Sequence, residues 1–286
     1  MGERKKINWR TWCALAIGLC LFAACAALYQ AENRYPVRVL SDMTGNTGGM
    51  AEIPHWEDME IYEQYPQILA GGTEYRAGRG EIPAERLGAK LADIFAKGWD
   101  AYGEDSERTC PAEVYEIRDI AASCAAAVRY EGTDIFYAAV NASYRPETLG
   151  QFMEDLDLRN NLIVNWASWE YHKPIGGDTE IRFEKLDMNK VWEFLLAKEA
   201  SKNVYSDLNM EPAETLMELS VSIPLLGYEN ISIRVDKDGF LTTNILETGK
   251  KFYIGTEHAQ AFADYVSEEC DGYEVRYRSG GVPIPE

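Results

Sequence analysis

Short apolar runs bounded by turn residues predict strands at 114–120, 124–130 and 135–140, the last two joined by Glu131, Gly132, Thr133 and Asp134. Upstream, QILAGGTEYR at 67–76 reads as a β-hairpin, because Gly71 and Gly72 supply the positive φ that a tight turn needs. Between these, Leu87, Leu91, Ile94 and Phe95 recur at spacings of four, three and one. With Pro83 suited to a first turn and Gly98 to a stop, they predict a helix, followed by an acidic, turn-rich loop from Asp100 to Pro111. A second helix after Pro146 places Leu149, Phe152, Met153 and Leu156 on one face.

The pattern then repeats. Residues 166–171 and 179–186 form a hairpin around Gly176 and Gly177, and a helix starts from Asp187, a good N-cap, with Val191, Trp192, Leu195 and Leu196 apolar. After a second acidic loop at 202–214, strands follow at 216–223, 231–235 and 240–246, the last two joined by Asp236, Lys237, Asp238 and Gly239. An extra short strand at 251–254 precedes a final helix bearing Ala259, Phe262, Tyr265 and Val266. GGTEYR at 71–76 returns as GGDTEIR at 176–182, and other landmarks keep step. Arg76 to Arg182 is 106 residues, Leu87 to Trp192 is 105, Ile117 to Ile223 is 106 and Arg129 to Arg234 is 105. These offsets predict an α+β fold: an N-terminal membrane helix, then two tandem, duplicated modules of antiparallel sheet with helices on one face, module 1 at 66–160 and module 2 at 161–286.

The membrane helix is read from residues 13–29, CALAIGLCLFAACAALY, which carry no charge over 17 residues. That length sits at the short end of a bilayer span, with Trp9, Trp12 and Tyr29 where interfacial aromatics belong. Arg4, Lys5, Lys6 and Arg10 hold residues 1–12 as a cytoplasmic stub, so the chain beyond Tyr29 is expected on the outer side of the cell membrane. Three fates stay open for the segment: an uncleaved anchor, a cleaved signal peptide, or a lipoprotein signal. In the last, Leu21 to Cys25 resemble a bacterial lipobox with Cys25 as the lipidated residue, although Phe22 stands where Leu is usual. Residues 30–65, broken by Pro36, GNTGGM at 45–50 and Pro54, read as a tether.

Charge narrows the partners. Residues 1–30 carry +3, so the formal −19 of the whole chain becomes −22 for the remainder. Such a surface repels nucleic acid and anionic headgroups and attracts cations or a basic partner protein. Outside the membrane segment lie three cysteines. Cys110 and Cys124 flank a predicted strand and could bridge, with free thiols as the alternative; Cys270 is the odd one.

Catalytic and metal motifs do not emerge. His55, His172 and His258 sit in no recognisable frame, and no Gly-x-Ser-x-Gly, Ser-x-x-Lys or His-Glu-x-x-His is present. Asp236 to Gly239 resemble the start of a calcium loop, but Phe240 and Thr242 occupy ligand places, which favours the hairpin. No cofactor or metal is therefore implied. The candidate binding residues are Arg129 and Arg234, at matching places on matching strands: facing the same side they could hold an acidic group in the seam between modules, and facing outward they are ordinary strand arginines. Trp169 and Tyr171 join them, sharing one face of a strand that is apolar enough for core or for a partner.

DGFLTTNILETGKKFYIGTEHAQAF at 238–262, with the basic stub and single anchor, resembles a loose group of uncharacterised single-pass membrane-anchored extracytoplasmic proteins of Gram-positive bacteria. The resemblance covers the C-terminal third at most and implies a non-enzymatic envelope protein. The expectation is a membrane-anchored extracytoplasmic binding or sensory/adaptor protein engaging another protein or an envelope ligand. The alternatives are an envelope hydrolase using carboxylates in the seam between modules, and a purely structural tether.

Overall fold

The computed structural model describes residues 35–41, 55–100, 106–173, 177–205 and 213–278, a mostly-sheet α+β fold with two sheets and few helices. After a first strand, β1 (Val37–Ser41), six strands close a barrel: β2 (Gln67–Ala70), β3 (Thr73–Glu81), β4 (Leu87–Asp100), β5 (Ser106–Ile117), β6 (Ala125–Tyr130) and β7 (Tyr137–Val140). Their order around it is β2-β3-β7-β6-β5-β4. The hairpin expected at 67–76 is β2 and β3. It turns through Gly71 at φ 60° and Gly72 at φ 83°, a region that residues with a Cβ rarely adopt.

The helix expected after Pro83 is instead strand β4. Phe95, Lys97 and Trp99 are exposed while Ala96, Gly98 and Asp100 are buried, an alternation of two. A six-stranded barrel has a narrow interior, and here Ala70, Ala77, Ala96, Ala112, Ala126 and Ala139 make room for Ile68, Tyr75, Tyr130 and Tyr137. Of the large apolar side chains of β4, Leu91 and Ile94 pack against that core while Phe95 and Trp99 are exposed, so the combined spacing imitates a helix. The expected loop from Asp100 to Pro111 is likewise strand from Ser106 onward.

Residues 55–65, assigned to a tether, are folded onto the barrel. A short turn at Trp56–Asp58 and helix α1 (Ile61–Gln64) bring Ile61, Tyr62 and Tyr65 against the barrel core, and Tyr130 donates its hydroxyl to the Tyr65 carbonyl at 2.8 Å. Asp100, buried at the end of β4, meets Arg108 at 2.7 Å, and that guanidinium lies 5.2 Å above the Trp56 ring.

The second sheet is built from β8 (Ile163–Lys173), β9 (Gly177–Phe183), β10 (Thr215–Ile223), β11 (Tyr228–Asp236), β12 (Phe240–Thr243), β13 (Lys250–Tyr253) and β14 (Gly272–Arg278), together with β1. Its order is β1-β14-β9-β8-β10-β11-β12-β13. β14 and β1 were not expected; they pair in parallel, Val37 opposite Glu274. Helices α2 (Leu149–Asp155), α4 (Met188–Leu196) and α5 (Thr256–Glu269) lie where the sequence places them, and a further turn, α3 (Leu158–Asn161), follows α2. Thr148 caps α2 by accepting from the Gln151 amide, and Asp187 caps α4 by accepting from the Asn189 amide at 2.9 Å. Phe194 of α4 stacks on Phe262 and His258 of α5, with centroids 4.3 and 4.2 Å apart.

Contacts divide the chain into two compact units. Of the described residues, one unit holds 35–41, 170–173, 177–182 and 272–278, with the β1–β14 pair. The other holds 55–100, 106–169, 183–205 and 213–271, with the barrel, β10 to β13 and the helices. Within the latter, Arg79 of β3 donates to the Gly227 carbonyl at 3.1 Å and pairs with Glu229 at 2.9 Å.

One strand register recurs at an offset of 105 residues. β5 and β6 set Glu113 opposite Arg129 and Val114 opposite Val128; β10 and β11 set Glu218 opposite Arg234 and Leu219 opposite Ile233, each partner 105 residues on. The order β9-β8-β10-β11-β12 also follows β3-β2-β5-β6-β7, except that β4 stands between β2 and β5. β4 lets the first sheet close. In the second half the corresponding stretch is helix α4, so β8 pairs directly with β10 and that sheet stays open. The two halves thus differ at this element, a strand in the first and a helix in the second, where the sequence predicts a helix in both. Among the described residues no helix is long and apolar enough to cross a membrane; residues 13–29 and Cys25 lie outside them.

Candidate functional site

On the outer face of the barrel, apolar side chains form a row across adjacent strands. β2 and β4 pair Gln67 with Lys97, and antiparallel pairing carried on from there would set Leu69 next to Phe95. Phe95 is opposite Pro111 of β5, and Leu69 is opposite Glu74 of β3. The Glu131 amide then donates to the Pro111 carbonyl at 2.8 Å, which extends the row to the end of β6. Phe95 is 68% exposed, Leu69 63% and Trp99, four residues along β4, 57%. A concavity of about 670 Å³ opens beside the row, with Phe95, Pro111, Glu113, Arg129, Glu131 and Asp134 in its lining.

Arg129 lies in that lining, but its charge is committed. Its Nε donates to the Glu113 carboxylate at 2.9 Å, its Nη2 meets the same oxygen, and the guanidinium lies 5.5 Å over the Phe136 ring. Glu113 also accepts from Lys90 at 2.8 Å and from the Tyr115 hydroxyl at 3.1 Å. The Lys90 bond foremost, then the Arg129 bond, holds its carboxyl down at about 2. Arg234 repeats the arrangement: its Nε donates to Glu218 at 2.9 Å, and the Ser232 hydroxyl donates to the same carboxylate. It borders a second concavity of about 530 Å³ that includes Tyr205, Asn230, Ser232, Thr242 and Asn244. The two arginines therefore occupy equivalent places on equivalent hairpins, as expected, each neutralised by the glutamate across the ladder. They are not brought together at one site.

Trp169 is half-buried on β8, its ring 5.0 Å from that of Phe183, a packing contact; the side chain of Tyr171 lies outside the described residues. The bridge between Cys110 and Cys124 does not form, and both are free thiols. Register gives the reason. Ala112 is opposite Tyr130 and Tyr115 opposite Ala127, so Cys110 lies at one end of the β5–β6 ladder and Cys124 beyond the other. About eight strand residues separate them along the ladder, on the order of 26 Å at the usual rise, against the roughly 4.4–6.8 Å a disulfide requires.

One polar cluster was missed by the sequence reading. Lys250 of β13 is completely buried, and its Nζ donates to the Ile245 carbonyl at 2.6 Å and the Thr248 carbonyl at 2.7 Å. The ammonium also lies 5.6 Å from the Phe152 ring centre and 5.8 Å from that of Tyr144. Burial pushes the amine down to about 8. Nearby, Tyr144 donates to Asp155 at 2.6 Å, and burial pushes the Cys124 thiol up to about 12. The signal available was a lysine pair, Lys250 and Lys251, leading an apolar strand, a pattern that reads equally well as solvated. Both carbonyls held by Lys250 belong to a loop whose Leu246 and Glu247 have φ of 61° and 63°, so the ammonium braces a strained connection.

Compared with protein-family models, with curated proteins and with solved structures, the chain matches none.

Proposed function

We propose that the chain is a membrane-anchored extracytoplasmic binding or sensory/adaptor protein and that the barrel's outer face receives its partner. The observation that carries the reading is the row through Leu69, Phe95 and Pro111, which presents large apolar side chains to solvent beside a concavity. Contiguous exposed apolar surface rimmed by polar groups is characteristic of interaction sites. The uncharged run at 13–29, behind four basic residues, supports the anchor and its direction.

Intact cells, spheroplasts and lysed membranes treated with an external protease test the reading. It predicts that the folded region is cleaved from outside after the wall is removed, and that the uncut chain stays with membranes after a carbonate wash. Protection in intact spheroplasts, with cleavage only after lysis, would contradict it.

A further inference from the structure

We infer that the partner received by the barrel face is a protein presenting a basic segment with interspersed apolar side chains. This rests on the reading of that face as the binding face. The charges around the row decide its complement. Lys97 is paired with Glu107 at 3.0 Å, Lys90 with Asp93 and Glu113, Arg129 with Glu113, and Arg76 lies 3.8 Å from Glu247. Among the described residues, Glu74 at one end of the row and Glu131 and Asp134 at the other make no ion pair within 4 Å, Asp134 sharing the field of an Arg129 already bonded to Glu113. An apolar strip with its cations already neutralised and carboxylates left over at both ends fits apolar side chains in the middle and lysine or arginine at the flanks. The excess of acidic over basic residues in the chain steers the same kind of partner toward it.

The test uses the full chain in nanodiscs and a labelled synthetic peptide alternating Lys and Leu, with a twin in which Glu replaces Lys, followed by fluorescence anisotropy. The Lys/Leu peptide is expected to bind, and its twin not to. Phe95→Ser, and Glu131→Gln combined with Asp134→Asn, are each expected to weaken binding by about fivefold or more, while Glu268→Gln, an exposed carboxylate on α5, leaves it unchanged. These side chains are on the surface, and a thermal melt of each variant confirms that the fold is retained. Equal binding by both peptides, or an equal loss in the Glu268 variant, would overturn the inference. A photo-crosslinker at Phe95 in native membranes separates the two levels. An acidic crosslinked segment overturns the basic partner and leaves the binding face standing, whereas no adduct at Phe95 removes the face itself.

Discussion

The Arg129 guanidinium meets the Glu113 carboxylate directly across β6 and β5, and Arg234 makes the same contact with Glu218 across β11 and β10. A charge pair that recurs in register shows what the two halves share: a hairpin with one outward ion pair above an apolar inner face. It also turns the arginines from receptors into ladder supports, because each would have to leave a carboxylate to hold an external anion.

Titration of Glu113 tests how fully that support is engaged. Its carboxyl is held well below the ordinary value of 4.5, so its contribution to stability is complete above that value and is lost as pH falls through about 2. Carbon-13 NMR of the side chain is expected to show a midpoint near 2, raised by Lys90→Met and by Arg129→Met. A wild-type midpoint near 4.5 would show the bonds to be absent in solution.

Lys250 makes a prediction of the same sign at the alkaline end. Burial lowers its amine from 10.5 to about 8, so between those values the unfolded chain binds more protons than the folded one and stability rises with pH. The stability of the wild type relative to Lys250→Met is expected to climb across pH 8–10.5 by about 3 kcal/mol at most. The neighbouring Cys124 and Tyr144 are pushed upward and stay neutral in that window. Urea unfolding at a series of pH values measures this, and a flat difference would place the ammonium in water.

At Gly98, residues 55–65 lie close against β4. A Cβ there would stand 1.6 Å from the Gln64 carbonyl oxygen, and backbone has no rotamer with which to yield. Gly98→Ala is expected to destabilise the protein by about 1–3 kcal/mol and to raise hydrogen exchange in residues 56–65 ahead of the barrel strands. Unchanged exchange in that segment would mean it does not dock on the barrel.

The cysteines differ in access. Native alkylation is expected to reach half-buried Cys110 and Cys270 well before Cys124, which is fully buried, and reducing agent is expected to leave the thermal midpoint unchanged. Mass spectrometry of a Cys110–Cys124 linked peptide would contradict the register of β5 and β6.

What the sequence made legible was what local chemistry decides. Gly71 and Gly72 mark a hairpin, Asp187 opens a helix, and Asp236 to Gly239 turn one strand into the next, with the Gly239 amide donating to the Asp236 carbonyl. The offset of 105 residues also survived as a shared strand register. β4 was not legible, because its inward positions toward the C-terminal end are Ala96, Gly98 and Asp100, while Phe95 and Trp99 point outward. That inversion hid the closed barrel, and with it the exposed row that is the candidate site. The pairing of β1 with β14 joins residues more than two hundred positions apart, which no local pattern encodes.

The binding face is tested most directly by placing a photo-crosslinking residue at Phe95 and, in a parallel strain, at Tyr253, which is 52% exposed on β13. The full chain is then irradiated in intact cells. A discrete adduct at Phe95 that is absent at Tyr253 and abolished by Leu69→Ser is the predicted result. Adducts at Tyr253 with none at Phe95 would contradict the barrel face as the place where this protein meets its partner.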